Sequence, residues 1–368
     1  MTSKRPRRDP PDTPEAALAT IHQLIRQFSI DPAMLKNLGP EYGTGVSFSK
    51  VTYDQAAPLV GLDPKKRLRD IGTFEIHRAR IPTHLFRSIV VDMDVMLMQY
   101  GAPPEHRTEE ARSRFFSPVF NHLIKQFSFM LRNEPETMVD GTQGRIVHFF
   151  ETFGAVAVLC IEMMLKVGND DERLKIIAQV IAECNGCDLE NSTWLPIHCI
   201  FTDGLTYEFF KFERNPKPSF IRGCFPGDPV HLRRGLKVPD YSSMTATLPF
   251  ILQLRCACEI IFDIMLSAYI AGLKAYYVRS EEKGRKQGLK RPSLDGCDRA
   301  LQSAARALAA FREAEVQRKD GDLDSADATV DQALLALQER YKSYSHLQSD
   351  QSFLTPSQYR SSADILQI

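Results

Sequence analysis

Two apolar runs separated by one turn constrain this chain more than any other feature of it. Gln143 to Phe150 and Ala155 to Lys166 are rich in Val, Ile, Leu, Met and Phe, and Thr152-Phe153-Gly154 interrupts them. Short apolar runs bounded by turn residues read as paired strands, so a hairpin is expected here. The second run, Ala155-Val156-Ala157-Val158-Leu159-Cys160-Ile161-Glu162-Met163-Met164-Leu165-Lys166, carries a carboxylate near its end. Burying an ionised carboxylate costs several kcal/mol unless a cation or hydrogen-bond donors meet it. Glu162 therefore needs a reason.

The flanking patterns build a core around the hairpin. Thr108 reads as a helix cap, and Glu109 and Glu110 suit the positive end of the helix dipole. Phe115, Phe116, Val119, Phe120, Leu123, Ile124 and Phe127 give that helix a broad apolar side, with Pro118 as a potential kink. Glu136 to Asp140 is expected as a short strand. After the hairpin, Asp170 to Cys184 has Leu174, Ile177, Ala178 and Ile181 at helical spacing. Pro196 to Phe201 and Thr206 to Phe212 read as strands joined by an Asp203-Gly204 turn. The order is helix, three strands, helix, two strands: a mixed α/β core over residues 106–248.

Outside that core the patterns are mostly helical. Residues 1–14 are polar and rich in Pro and Arg, which predicts a disordered basic tail. Residues 15–105 read as a largely helical extension, with Ala17, Ile21, Leu24, Ile25 and Phe28 at helical spacing and a short buried element over Ile89 to Tyr100. Phe212 to Pro249 is punctuated by Pro216, Pro218, Pro226, Pro229 and Pro239, which predicts an ordered loop. Residues 249–344 form a helical region: an apolar helix from Phe250 to Tyr277, then a helical hairpin of Asp295 to Lys319 and Leu323 to Tyr344. The apolar helix carries Glu259 and Asp263, which argues against a membrane span. The tail over 345–368 is expected to be disordered.

Charge and cysteine usage narrow the partners. Lys plus Arg equals Asp plus Glu at 46 each, so net charge points to neither a nucleic acid nor a membrane. Basic character is local. Lys4-Arg5-Pro6-Arg7-Arg8 reads as an import signal or a phosphate-seeking arm, and Lys283 to Arg291 as a DNA or RNA clamp or a solvated linker. The 8 Cys, without a secretory segment at the start of this sequence, predict reduced thiols in the nucleus or cytoplasm. Cys184 and Cys187 have C-x-x-C spacing, but the nearby His198 and Cys199 face opposite ways on a strand, so buried free thiols are expected instead.

With these elements in place, the chain resembles the PD-(D/E)XK nuclease superfamily, in particular the divergent nuclease-like proteins of mushroom-forming fungi. Thr108-Glu109-Glu110-Ala111-Arg112 resembles the family's first core helix. Gly144-Arg145-Ile146 is similar to the segment before its metal-binding Asp, and Ile161-Glu162-Met163-Met164 to its Ile-Glu-x-Lys strand. Ala178-Gln179 is similar to a Gln on the family's next helix, and Ile200 to Phe209 resembles its closing hairpin. The resemblance implies a restriction-endonuclease-like α-β-β-β-α-β-β core with helical extensions at both ends. It also implies Mg²⁺ held by Glu162 in an active member, with Gln179, Lys166, Glu109 and Glu110 as further candidate catalytic residues.

The chain departs from that pattern where the chemistry is most demanding. Val147 stands in place of the metal-binding Asp, and Met164 in place of the Lys. Mg²⁺ needs hard oxygen ligands, and a thioether cannot orient a hydroxide. Lys166 shares a strand face with Met164 but lies about 7 Å further along at ~3.3 Å per residue. The expected function is therefore a nuclease-like protein with impaired hydrolysis that keeps a nucleic-acid-binding or regulatory role. Two other readings stand beside it: an active Mg²⁺-dependent DNA endonuclease, and a non-enzymatic scaffold that binds protein partners through its C-terminal helices.

Overall fold

The computed structural model describes residues 51–65, 71–101, 105–106, 108–127, 131–135, 148–152, 155–162, 170–190, 195–202, 206–214, 216–225, 236–237, 247–287 and 295–344. The expected N-terminal helix over 15–28, both terminal tails and the expected strand over 136–140 lie outside these residues. Among the described residues, eight strands form one mixed sheet.

The hairpin forms as its sequence demands. Strands β3 (His148–Thr152) and β4 (Ala155–Glu162) run antiparallel, following β1 (Thr73–Glu75) and β2 (Leu131–Pro135) in the chain. The register shifts between Phe150↔Val158 and Glu151↔Val156, so Ala157 is the extra residue of a β-bulge. Strand β2, which pairs with β3, is not expected from the sequence and directly precedes residues 136–140, which lie outside the described residues. It is an edge strand with little apolar pattern, positioned by backbone pairing to β3, and an edge tolerates Pro135.

Helix α4 (Asp170–Glu190) carries the chain from β4 to the parallel strand β5 (Ile197–Thr202). It is preceded by α1 (Tyr53–Ala56), α2 (Thr83–Tyr100) and α3 (Glu109–Lys125). Helix α4 continues past the expected end at Cys184, because Cys184, Cys187 and Asp188 are all buried on its inner side. Strand β6 (Thr206–Glu213) is antiparallel to β5. The segment expected to be a loop from Phe212 to Pro249 contains two more strands, β7 (Ser219–Cys224) and β8 (Leu236–Lys237). Both pair with β6, and β7 also pairs in parallel with β1, giving the order β1-β7-β6-β5-β4-β3-β2. Gly223 of β7, opposite Phe74 of β1, is closely surrounded. A Cβ there would lie 2.7 Å from Ile76 Cγ2 and 3.1 Å from Phe209 Cβ.

Each sheet face has its own apolar layer. On one, α4, α1 and the 3₁₀ turn Ala57–Val60 cover Ile197, Cys199, Phe201, Phe210, Phe212 and Phe220. On the other, α2, α3 and α5 (Thr247–Gln287) cover Phe150, Val158, Ile200, Tyr207 and Phe209. Helix α5 is long and apolar enough to cross a membrane by length and composition, yet 89% of its Phe250–Val278 window is buried within the protein. The two buried carboxylates in that window are matched: Glu259 by Arg78 and Arg255, Asp263 by Arg312.

Helices α6 (Asp295–Lys319) and α7 (Leu323–Tyr344) form the expected hairpin and pack through buried Ala300, Ala304, Ala307, Ala314, Ala326 and Ala333. Small side chains let the helix axes approach closely. Gly321, at φ 87, makes the turn. Helix α2 is longer than the short buried element expected at Ile89 to Tyr100, and it is buried on one side only. Leu85, Phe86, Ile89 and Met93 face the core, whereas Val91, Val95 and Met98 are exposed.

Candidate functional site at the ends of the central strands

Strands β4 and β5 end level with one another. Glu162, the last residue of β4, pairs with Thr202, the last of β5, and Thr202 pairs in turn with Tyr207 at the start of β6. Ligand sites in α/β sheets commonly lie beyond the carboxyl ends of parallel strands. This is where sequence reasoning placed the site. At Glu162 the backbone is described and the side chain is not, while Val147, Met164 and Lys166 lie outside the described residues. Glu109 and Glu110 open helix α3, described there by their backbone, after Thr108, whose hydroxyl accepts the Ala111 N–H at 3.2 Å.

Gln179 lies on α4 and is engaged along its own helix. Its side-chain amide donates to Glu183 Oε1 at 2.8 Å. Glu183 is fully buried, and loss of solvent raises its carboxyl to about 8 despite the Gln179 donor. Its second oxygen, Oε2, has no hydrogen-bond partner among the described residues. Beside it, Cys184 Sγ lies 3.0 Å from Cys199 Sγ on β5, and burial pushes the Cys184 thiol well up. Sequence reasoning missed Glu183. The available signal was its position four residues after Gln179, the spacing at which helical side chains meet.

A second buried carboxylate joins the start of α4 to the sheet. Arg173 Nη2 reaches Glu208 Oε1 at 2.5 Å, and Arg222 Nη2 lies 3.7 Å from Glu208 Oε2. Glu208 is on β6, Arg222 on β7 and Arg173 in the first turn of α4, so three elements converge on one charge. Desolvation lowers the proton affinity of Arg222 more than Glu208 restores it. The end of α4 is tied down similarly: Arg214 contacts Asp188, and its Nη2 donates to Asn185 Oδ1 at 2.8 Å.

Cys184, Cys187 and Cys199 sit in the apolar layer under α4, and the side chains of the basic segments lie outside what the structure describes. Cys184 and Cys187 lie within α4, with Cys199 against Cys184. His198 instead packs edge-on to Phe74, and its ring is pushed down to about 4 by loss of solvent and then by Lys211. Among the described residues, no three His, Cys, Asp or Glu side chains group as metal ligands. Lys4 to Arg8 and Lys290-Arg291 lie outside the described residues, and Lys283, Arg285 and Lys286 extend helix α5, described there by backbone. No family model, no curated protein and no solved structure matches this chain.

Proposed function

We propose that this chain is a PD-(D/E)XK nuclease-like protein that has lost most metal-dependent hydrolysis and keeps a nucleic-acid-binding or regulatory role. The observation that carries this reading is topological. Helix α3, the antiparallel strands β2-β3-β4, the crossover helix α4 and the parallel strand β5 follow in the expected order, and Glu162 ends the strand before the crossover. That order supports a restriction-endonuclease-like core with helical extensions.

The donor set argues against a working Mg²⁺ site. Glu162 supplies a carboxylate, but Val147 and Met164 supply no hard oxygen where the resemblance calls for one and no ammonium where it calls for a lysine. No hydrolytic step through a metal ion is derived from these residues. Binding does not need them, since phosphate contacts depend on basic groups and backbone donors.

The test pairs cleavage with binding. Supercoiled plasmid incubated with Mg²⁺ or Mn²⁺ should stay intact with the natural chain and with Glu162→Ala alike. Labelled DNA and RNA should bind both proteins equally, with affinity falling as salt rises. Cleavage abolished by Glu162→Ala would establish an active nuclease instead. Absence of salt-dependent binding to any nucleic acid would remove the binding role.

A further inference from the structure

Two thiols from different elements meet under α4. Cys184 stands on the inner side of α4 and Cys199 on the facing side of β5, with their Sγ atoms 3.0 Å apart and 15 positions between them in the chain. Both are free and buried, in a layer shared with Ile177, Val180, Ile181 and Phe201. Disulfide sulfurs lie about 2.05 Å apart, so a shift of about 1 Å joins the two. Cys187, three residues further along α4 and also buried, is the competing thiol.

We propose that Cys184 and Cys199 form a reversible disulfide under prolonged oxidation by a small hydroperoxide, stapling the crossover helix to the sheet. One sulfur, as the thiolate, attacks a peroxide oxygen. The O–O bond breaks, the sulfur keeps one oxygen as a sulfenic acid, and the other oxygen leaves as water with the thiol proton. The second sulfur then displaces that sulfenic oxygen: the S–S bond forms, the S–O bond breaks, and a second water carries off the second proton. Two thiols and one hydrogen peroxide thus become one disulfide and two waters. The first step is slow, because the thiolate is the reacting form and burial pushes the Cys184 thiol well up. The second is fast, because the sulfurs are already in contact. The apolar layer shields the finished bond from bulky thiol reductants, so the pair acts as a lasting staple and not as a rapid sensor. Helix α4 joins β4, which ends at Glu162, to β5, so the bond fixes the crossover between the two parallel strands. This inference does not depend on the nuclease-like reading.

The test holds the reduced full chain, freed of reductant, in hydrogen peroxide for hours, then unfolds, alkylates and digests it for mass spectrometry. A linked Cys184–Cys199 peptide pair is expected, lighter by two hydrogens than the two free peptides together and separated by dithiothreitol. The stapled protein should unfold at higher urea than the reduced one, and Cys199→Ala should abolish that shift. Full alkylation of Cys184 and Cys199 after Cys224 has been completely oxidised would overturn the proposal. So would a bond from either thiol to Cys187, or an equal yield of the bond when the chain is oxidised in urea, because the fold would then not be what brings the thiols together.

Discussion

Arg78 reaches across from the segment between β1 and α2 to grip Glu259 on α5, with Nη2 2.5 Å from Oε2. Arg255 takes the other carboxylate oxygen at 3.0 Å. Arg78 also meets Glu315 on α6 at 3.2 Å, and Arg318 holds Glu315 through two bonds of 2.7 Å. Burial works against the charge of Glu315, but these arginines hold its carboxyl below the ordinary range. Two helices, α5 and α6, and the segment before α2 thus share one ion network.

Removing Glu259 takes a fully buried carboxylate away from two half-buried arginines, leaving Arg78 with Glu315 and Arg255 with the Ile81 carbonyl. Glu259→Ala should destabilise the protein by about 3–5 kcal/mol, read as a lower urea midpoint at constant slope. Glu259→Ala combined with Arg78→Ala should cost less than the sum of the two single changes.

Glu183 makes stability depend on pH in an unusual direction. Its carboxyl is raised to about 8 in the folded protein, against an ordinary value of 4.5. Between these values the unfolded chain is ionised and the folded one is protonated, so stability falls as pH rises from about 4.5 to about 8 and then levels off. Glu183→Gln removes the ionisation. It should stabilise the protein at pH 8 by an amount on the order of a few kcal/mol and flatten the dependence of melting temperature on pH.

Gly223 tests the packing of β1 on β7. A methyl group there meets Ile76 and Phe209 closer than carbon atoms normally approach. Gly223→Ala should cost about 1–3 kcal/mol, and Gly223→Val more, measured by thermal unfolding.

The thiols should differ in reactivity according to burial. Cys184, Cys187, Cys199, Cys256 and Cys258 are buried, and Cys224 is half-buried. Desolvation also pushes Cys256 up to about 11 and Cys258 higher still. Brief alkylation of the native protein should label Cys224 ahead of these five, and the five should react together once the chain is unfolded. Mass spectrometry of the labelled peptides checks this.

Local pattern made part of this fold legible in advance. The β3–β4 hairpin followed from two apolar runs and a turn, and the α6–α7 hairpin from helical spacing around Gly321. Strands β2, β7 and β8 were not legible, because each is held by a neighbouring strand rather than marked by an apolar run of its own. The continuation of α4 past Cys184 was hidden in the same way: Arg214, from the end of β6, secures its last turns. At the site, Glu162 was legible as a misplaced charge, whereas the grip of Arg173 and Arg222 on Glu208 joins residues far apart in sequence.

The central position of α5 also governs the order in which this protein can be built. The sheet face bearing Phe150, Ile200 and Phe209 is complete in sequence well before Thr247–Gln287 is synthesised, and α5 is part of its cover. Arg80 likewise waits for Asp327, 247 residues later. A nascent chain stopped before α5 lacks part of the cover of that face, so its apolar side chains stay open until Thr247–Gln287 has been made.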